Sequence, residues 1–117
     1  MIVFRVQDNA GRGPWKPGFS HKWVEDRPDH DNLPPWFVEF GRVDRRAITG
    51  MTTGSACMTL EQLRRWFNPS EYAKLCKLGY RAVRLDASVL AESSVQCFVQ
   101  RAKAFNVDAE IVDLYAS

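Results

Sequence analysis

The sequence predicts a small α+β domain: a small mixed or antiparallel sheet, two consecutive short helices and a long ordered aromatic loop near the N-terminus. Three observations predict it. Residues 2–7 and 80–86 alternate side chains with the period of a strand. Residues 59–79 carry two helix start signals in succession and a glycine stop. Residues 11–35 concentrate glycine, proline and large aromatics, a composition that suits neither element. A chain of 117 residues is sized for one domain. At that size it buries roughly two thirds of its unfolded surface, so no disulfide or metal is needed to hold it.

The first strand is expected over residues 2–7. Ile2, Phe4 and Val6 share one face, Val3, Arg5 and Gln7 the other, and Asp8-Asn9-Ala10-Gly11 breaks the run. The loop that follows carries Trp15, Phe19 and Trp23, with His21 and His30 among them. A flexible linker has no use for three large aromatics, and a long loop inside a compact domain is usually functional or disordered. The aromatics favour an ordered, functional loop. Trp36 to Phe40 is a short strand candidate with Trp36, Val38 and Phe40 on one face, and residues 41–58 suit a turn and a short strand.

The helices are clearer. Thr59 followed by Gln62 makes a capping box, and Leu60, Leu63 and Phe67 form a buried stripe with Trp66 beside it. Pro69 ends that helix near Phe67 and opens the next, with Asn68 as cap and Glu71 at the third position. Tyr72, Leu75 and Cys76 face inward, and Gly79 is the stop. Strands are expected over Tyr80–Asp86 and Val95–Val99. Residues 102–114 suit a strand pair or a terminal helix equally.

Charge narrows function by exclusion. Residues 1–58 and residues 59–117 each carry eight basic and seven acidic side chains. That balance argues against an acidic DNA mimic and against a strongly electrostatic nucleic-acid binder. The cysteines Cys57, Cys76 and Cys97 are odd in number and lack metal-ligand spacing, so they read as reduced thiols in a reducing compartment. Arg5 interrupts any apolar leader, and no apolar run approaches the ~20 residues of a membrane helix. A cytoplasmic protein without a membrane segment is expected.

Four stretches carry candidate chemistry. In Gly11-Arg12-Gly13-Pro14-Trp15, the glycines permit close backbone approach and Arg12 suits a phosphate, while a tight turn packing Trp15 is the plainer alternative. His21, Asp26, Asp29, His30 and Asp31 suit metal or acid–base work, or simply a solvated loop. Arg42, Arg45, Arg46, Arg64 and Arg65, with Trp66, suit single-strand binding or an ordinary charged face. Ser55 lacks the second glycine of a nucleophile elbow.

Phe4-Arg5-Val6, Gly11-Arg12-Gly13-Pro14, Thr59-Leu60-Glu61-Gln62-Leu63 with Trp66-Phe67, Leu78-Gly79-Tyr80 and Gln96-Cys97-Phe98 together span most of the chain. In these pieces the sequence resembles a family of small phage and prophage proteins. The resemblance implies an accessory protein in the cytoplasm of a bacterial host, one that binds and inhibits or modifies a host protein, such as a restriction or CRISPR defence component. Trp15, Phe19, Trp23 and Trp36 would anchor it, with Arg12 beside them. No cofactor is implied on that reading.

The order of the pieces also resembles a reduced ADP-ribosyltransferase fold, which implies NAD. In such enzymes an Arg on the first strand holds NAD, a Ser on a middle strand orders the ribose, and a Glu on a later strand stabilises the transition state. By position these are Arg5, Ser55 and Gln96. The sequence departs from the pattern at Gln96, which is neutral, and Glu92 is the nearest carboxylate, expected to lie outside that strand.

Overall fold

The computed structural model describes residues 1–15, 18–25, 33–34, 40 and 51–115. Its elements are β1 (Ile2–Gln7), a single 3₁₀ turn (Ser20–Lys22), β2 (Thr52–Ala56), α1 (Leu60–Trp66), α2 (Pro69–Lys77), β3 (Arg81–Asp86), β4 (Ser88–Glu92), β5 (Cys97–Arg101) and β6 (Glu110–Ile111). The fold is α+β. The single sheet expected from the sequence is divided. Among the described residues there are two antiparallel sheets of three strands, ordered β1-β3-β6 and β2-β5-β4.

One isolated antiparallel bridge joins them. Phe4 N donates to Cys57 O at 2.8 Å and Cys57 N donates to Phe4 O at 2.7 Å. Otherwise β1 pairs with β3, from Ile2 opposite Asp86 to Gln7 opposite Arg81, and β2 pairs with β5, from Thr52 opposite Arg101 to Ala56 opposite Cys97. The bridge makes the whole order β4-β5-β2-β1-β3-β6, with a split between β1 and β2.

Strand alternation sends the two faces of β1 into two cores. Val6 packs with Leu63, Trp66, Phe67, Leu75 and Ala82 under the helices. Val3 packs with Val83, Leu85, Cys97, Val99 and Phe105 between the sheets. Arg5 and Gln7 share the Val3 face and are also buried, so a cation stands where the strand period places core side chains.

Both helix starts are where the sequence puts them, with one shift. Thr59 Oγ1 accepts from Gln62 N at 3.1 Å, but Gln62 Oε1 accepts from Met58 N at 2.8 Å, one residue outside the expected box. At α2 the box closes fully: Asn68 Oδ1 accepts from Glu71 N and Glu71 Oε1 accepts from Asn68 N. Gly79 at φ +93° supplies the left-handed stop.

Other expectations shift further. The strand placed at 95–99 runs over Cys97–Arg101, which leaves Gln96 just before it, and Glu92 ends a separate strand, β4. Residues 102–114 form turns and the two-residue β6 rather than a helix, because Asp108 takes a left-handed turn at φ 58°. Phe40, expected in a strand, is buried with helical backbone; the rest of the Trp36–Phe40 candidate lies outside the described residues.

Two carboxylates fasten the aromatic loop to α2. The fully buried Glu71 accepts from Glu25 N at 2.9 Å through its second oxygen. Glu25 in turn accepts from Ser70 Oγ, from Asn68 Nδ2 at 3.0 Å and from Lys74 Nζ at 3.1 Å. These donors, Ser70 foremost, hold the Glu25 carboxyl at a pKa of about 2. An unfolded glutamate titrates near 4.3, so the folded value is depressed. The stabilisation is complete at neutral pH and is lost as pH falls from about 4.3 towards 2. Glu25→Gln should flatten that acid limb of stability, measured as urea midpoints across the range; an unchanged limb would show that Glu25 is not part of the fastening.

Candidate functional site

Past the Phe4–Cys57 bridge the backbone pairing of β1 with β2 stops, and a cavity of about 660 Å³ opens at the split. Arg5 and Val6 of β1 form one wall and Thr52 to Cys57 the facing one. The Gly11–Trp15 loop forms the rim. Leu63, Trp66 and Phe67 close the helical side, and Leu33, Gln96 and Phe105 also line it. The volume lies within the range of small-molecule sites.

Arg5 dominates the chemistry. It is 8% exposed. Its Nη2 donates to Gly11 O at 3.3 Å, while Nε and Nη1 have no hydrogen-bond partner among the described residues. Its guanidinium lies over the Phe105 ring, 4.1 Å from the centroid. Burial lowers its pKa to about 10, and Asp8 at some distance partly restores it. The Asp8 carboxylate is itself engaged, accepting from Ala10 N and Arg12 N at 2.9 Å each. Arg5 is therefore still a cation at neutral pH.

The Gly11–Pro14 stretch is both of the things the sequence allows. It is a tight turn, closed by Asp8 N to Arg12 O at 2.9 Å and Gly11 N to Asp8 O at 3.0 Å. It also approaches the cavity closely, with exposed Arg12 on the rim. Among the described lining residues there are two arginines and no carboxylate, so the cavity favours anions.

Arg5, Ser55 and Gln96, which come from three separate parts of the sequence, line this one cavity together. Ser55 is half-buried on β2. Gln96 is buried, and its Nε2 donates to Pro34 O at 2.8 Å. Glu92 lies at the far end of β4, opposite Cys97, and is absent from the lining.

The aromatic loop divides. Trp15 is 47% exposed on the rim, edge-on to Trp23 with centroids 4.7 Å apart. Trp23 is fully buried and donates from Nε1 to Pro14 O at 3.3 Å. Its expected role as an interface anchor gives way to a core role, because its ring packs with Trp66, Phe67 and Leu75 and its N–H finds a carbonyl partner inside. Phe19 is half-buried against Tyr80. Trp36 lies outside the described residues.

Few of the remaining candidates fall on described residues. His21 is exposed on the 3₁₀ turn, and Asp26, Asp29, His30 and Asp31 lie outside the described residues. Among the described residues no group of three metal-ligating side chains converges. Arg42, Arg45 and Arg46 also lie outside them, and Arg64 is engaged, donating to Leu114 O at 2.7 Å. The cysteines are free thiols. Burial pushes Cys57 up and raises Cys97 to about 12, so neither is a ready nucleophile. No described helix is long and apolar enough to cross a membrane.

A family model described as the bacteriophage T4 Y00F protein matches residues 1–113. The chain belongs to the bacteriophage T4 Y00F protein family. No curated protein and no solved structure matches it. Membership makes this Y00F-family chain a phage accessory protein in general terms.

Several cavity residues of the Y00F-family chain carry weak signals in the sequence. Phe105 sits in a stretch whose pattern suits a strand pair or a helix equally, and Gly54 in one that suits a turn and a short strand. The available signal was Arg5, a charge on a strand face otherwise turned inward. A buried guanidinium with two unpartnered nitrogens is costly to the free protein. Arg5→Met should therefore stabilise the fold by about 1 kcal/mol or more, read from urea unfolding; a destabilised variant would show that Arg5 serves the fold.

Proposed function

We propose that this phage accessory protein binds NAD, or a nucleotide of similar chemistry, in the cavity between its two sheets. The observation that carries the reading is Arg5, buried with Nε and Nη1 unpartnered among the described residues and lining one cavity with Ser55 and Gln96. Unsatisfied buried donors call for an acceptor, and a cationic fork matches a pyrophosphate oxygen pair. On the ADP-ribosyltransferase pattern Arg5 would hold the phosphates, and the Ser55, Thr52 and Thr53 hydroxyls are suited to the ribose. Trp15, Trp66, Phe67 and Phe105 line the same space and offer ring faces to a base.

The reading is of binding rather than transfer. Breaking the bond between nicotinamide and ribose builds positive charge on the sugar carbon, and a carboxylate stabilises it. Gln96 supplies no charge at that place, and its amide is engaged by Pro34.

NAD in hundredfold excess over its Kd should add about 2.7 kcal/mol to stability, a rise on the order of 10 °C in Tm for a domain of this size. Arg5→Met should abolish the rise. A wild-type Tm indifferent to NAD would end this reading.

A second reading is favoured by one observation, the exposure of Trp15 beside the cavity. Here the rim docks on a host bacterial protein, including a component of an anti-phage defence such as CRISPR, in the host cytoplasm. Large exposed aromatics are typical interface anchors. Trp15→Ala should then abolish capture of that partner from host lysate while Tm stays within about 2 °C, as for a surface change. Capture that survives the substitution would remove the rim from consideration.

A further inference from the structure

A buried arginine is ordinarily held by a carboxylate, whose two oxygens take its N–H fork and cancel its charge. Arg5 is held differently. Its guanidinium lies over the Phe105 ring, 4.1 Å from the centroid, and one nitrogen reaches Gly11 O. A ring attracts the cation through its face, whereas the N–H donors lie in the guanidinium plane. The ring therefore holds the group without using its donors and without neutralising it.

We propose that Phe105 is the positioning residue that keeps Arg5 charged and open to an anion, and that Gly54 is the glycine that gives the pair its room. The proposal rests on the anion-binding reading of the cavity. Phe105 is itself fixed from two sides. Gln7 Nε2 donates to Phe105 O at 2.9 Å. Gly11 packs so closely that a Cβ there would stand 3.0 Å from Asn106 N and 3.2 Å from Phe105 Cβ. On β2, a Cβ at Gly54 would stand 2.8 Å from Phe105 Cε2 and 2.9 Å from Arg5 Nη1. Both distances are too short, so any side chain at 54 displaces the ring, the guanidinium or both. Gly54 lies in a strand, where glycine is otherwise less favourable than alanine, and the cradle gives its presence a reason.

The test uses the whole chain in four forms: wild type, Phe105→Leu, Phe105→Tyr and Gly54→Ala. NAD is titrated calorimetrically, and the Arg5 Nε–H signal is followed in protein labelled with ¹⁵N-arginine. Phe105→Leu and Gly54→Ala should each weaken NAD binding about tenfold or more, the equivalent of one desolvated cation–π contact. Phe105→Tyr, which keeps the ring, should restore most of the affinity. The Arg5 Nε–H proton should be shifted upfield by the ring in wild type and Phe105→Tyr, and return among the other arginines in Phe105→Leu. Equal NAD affinity in wild type and Phe105→Leu would overturn the positioning role while leaving NAD binding in place. If wild type binds no NAD, the functional reading fails separately, and the arginine signal decides the positioning: a ring-shifted signal lost in Phe105→Leu supports it, and an unchanged signal overturns it.

Discussion

The architecture depends on a single pair of backbone hydrogen bonds, between Phe4 and Cys57. Each sheet is a complete three-stranded ladder without them. With them, β1 and β2 touch at one residue and part beyond it. A continued ladder would have sealed the sheets into one surface and left no interior space. Without the bridge the two sheets would be related only through their shared core and the short β3–β4 connection, with no backbone pairing between β1 and the end of β2. The bridge and the core shared by the two sheets fix their relation and leave a gap that the next residue of β1 lines.

That next residue is Arg5, and its surroundings differ from those of the other buried arginine. Arg101 is 9% exposed, but each of its three nitrogens has a partner, donating to the carbonyls of Lys103, Asp86 and Val107. It ties the β5–β6 connection together and is structural in the plain sense. Arg5 has comparable burial and far fewer bonds. The contrast within one small domain shows that this fold can satisfy a buried guanidinium, whereas the two nitrogens of Arg5 left unsatisfied among the described residues belong to a side chain that lines the cavity.

What the sequence made legible followed from local chemistry. The Asn68-Pro69-Ser70-Glu71 start and the Gly79 stop act over a few residues, and both are found in place. β1 was readable because its alternation is confined to six residues. The division of the sheet was not readable, because it turns on where one ladder ends, which no residue type announces. Glu71 looked like an ordinary capping residue; its burial and its grip on Glu25 depend on a loop more than forty positions away. Trp23 looked like an anchor because composition cannot distinguish an aromatic that fills a core from one that waits for a partner. The site was half legible. Arg5, Ser55 and Gln96 were placed together by analogy of order, whereas Phe105 and Gly54 matter only through their approach to Arg5 in space.

The pairing of β1 with β3 also governs how the chain assembles. Ile2 meets Asp86, so the first strand of the sequence finds its partner only across most of the chain. Local units, the α1–α2 pair and the β4–β5 hairpin among them, close short loops and are kinetically favoured. β1 can complete its ladder only once β3 is in place. Because β1 carries Arg5 and makes the bridge to Cys57, the cavity cannot precede that late docking. The cavity thus depends on a pairing that spans most of the chain, and a form of the chain without that pairing lacks it.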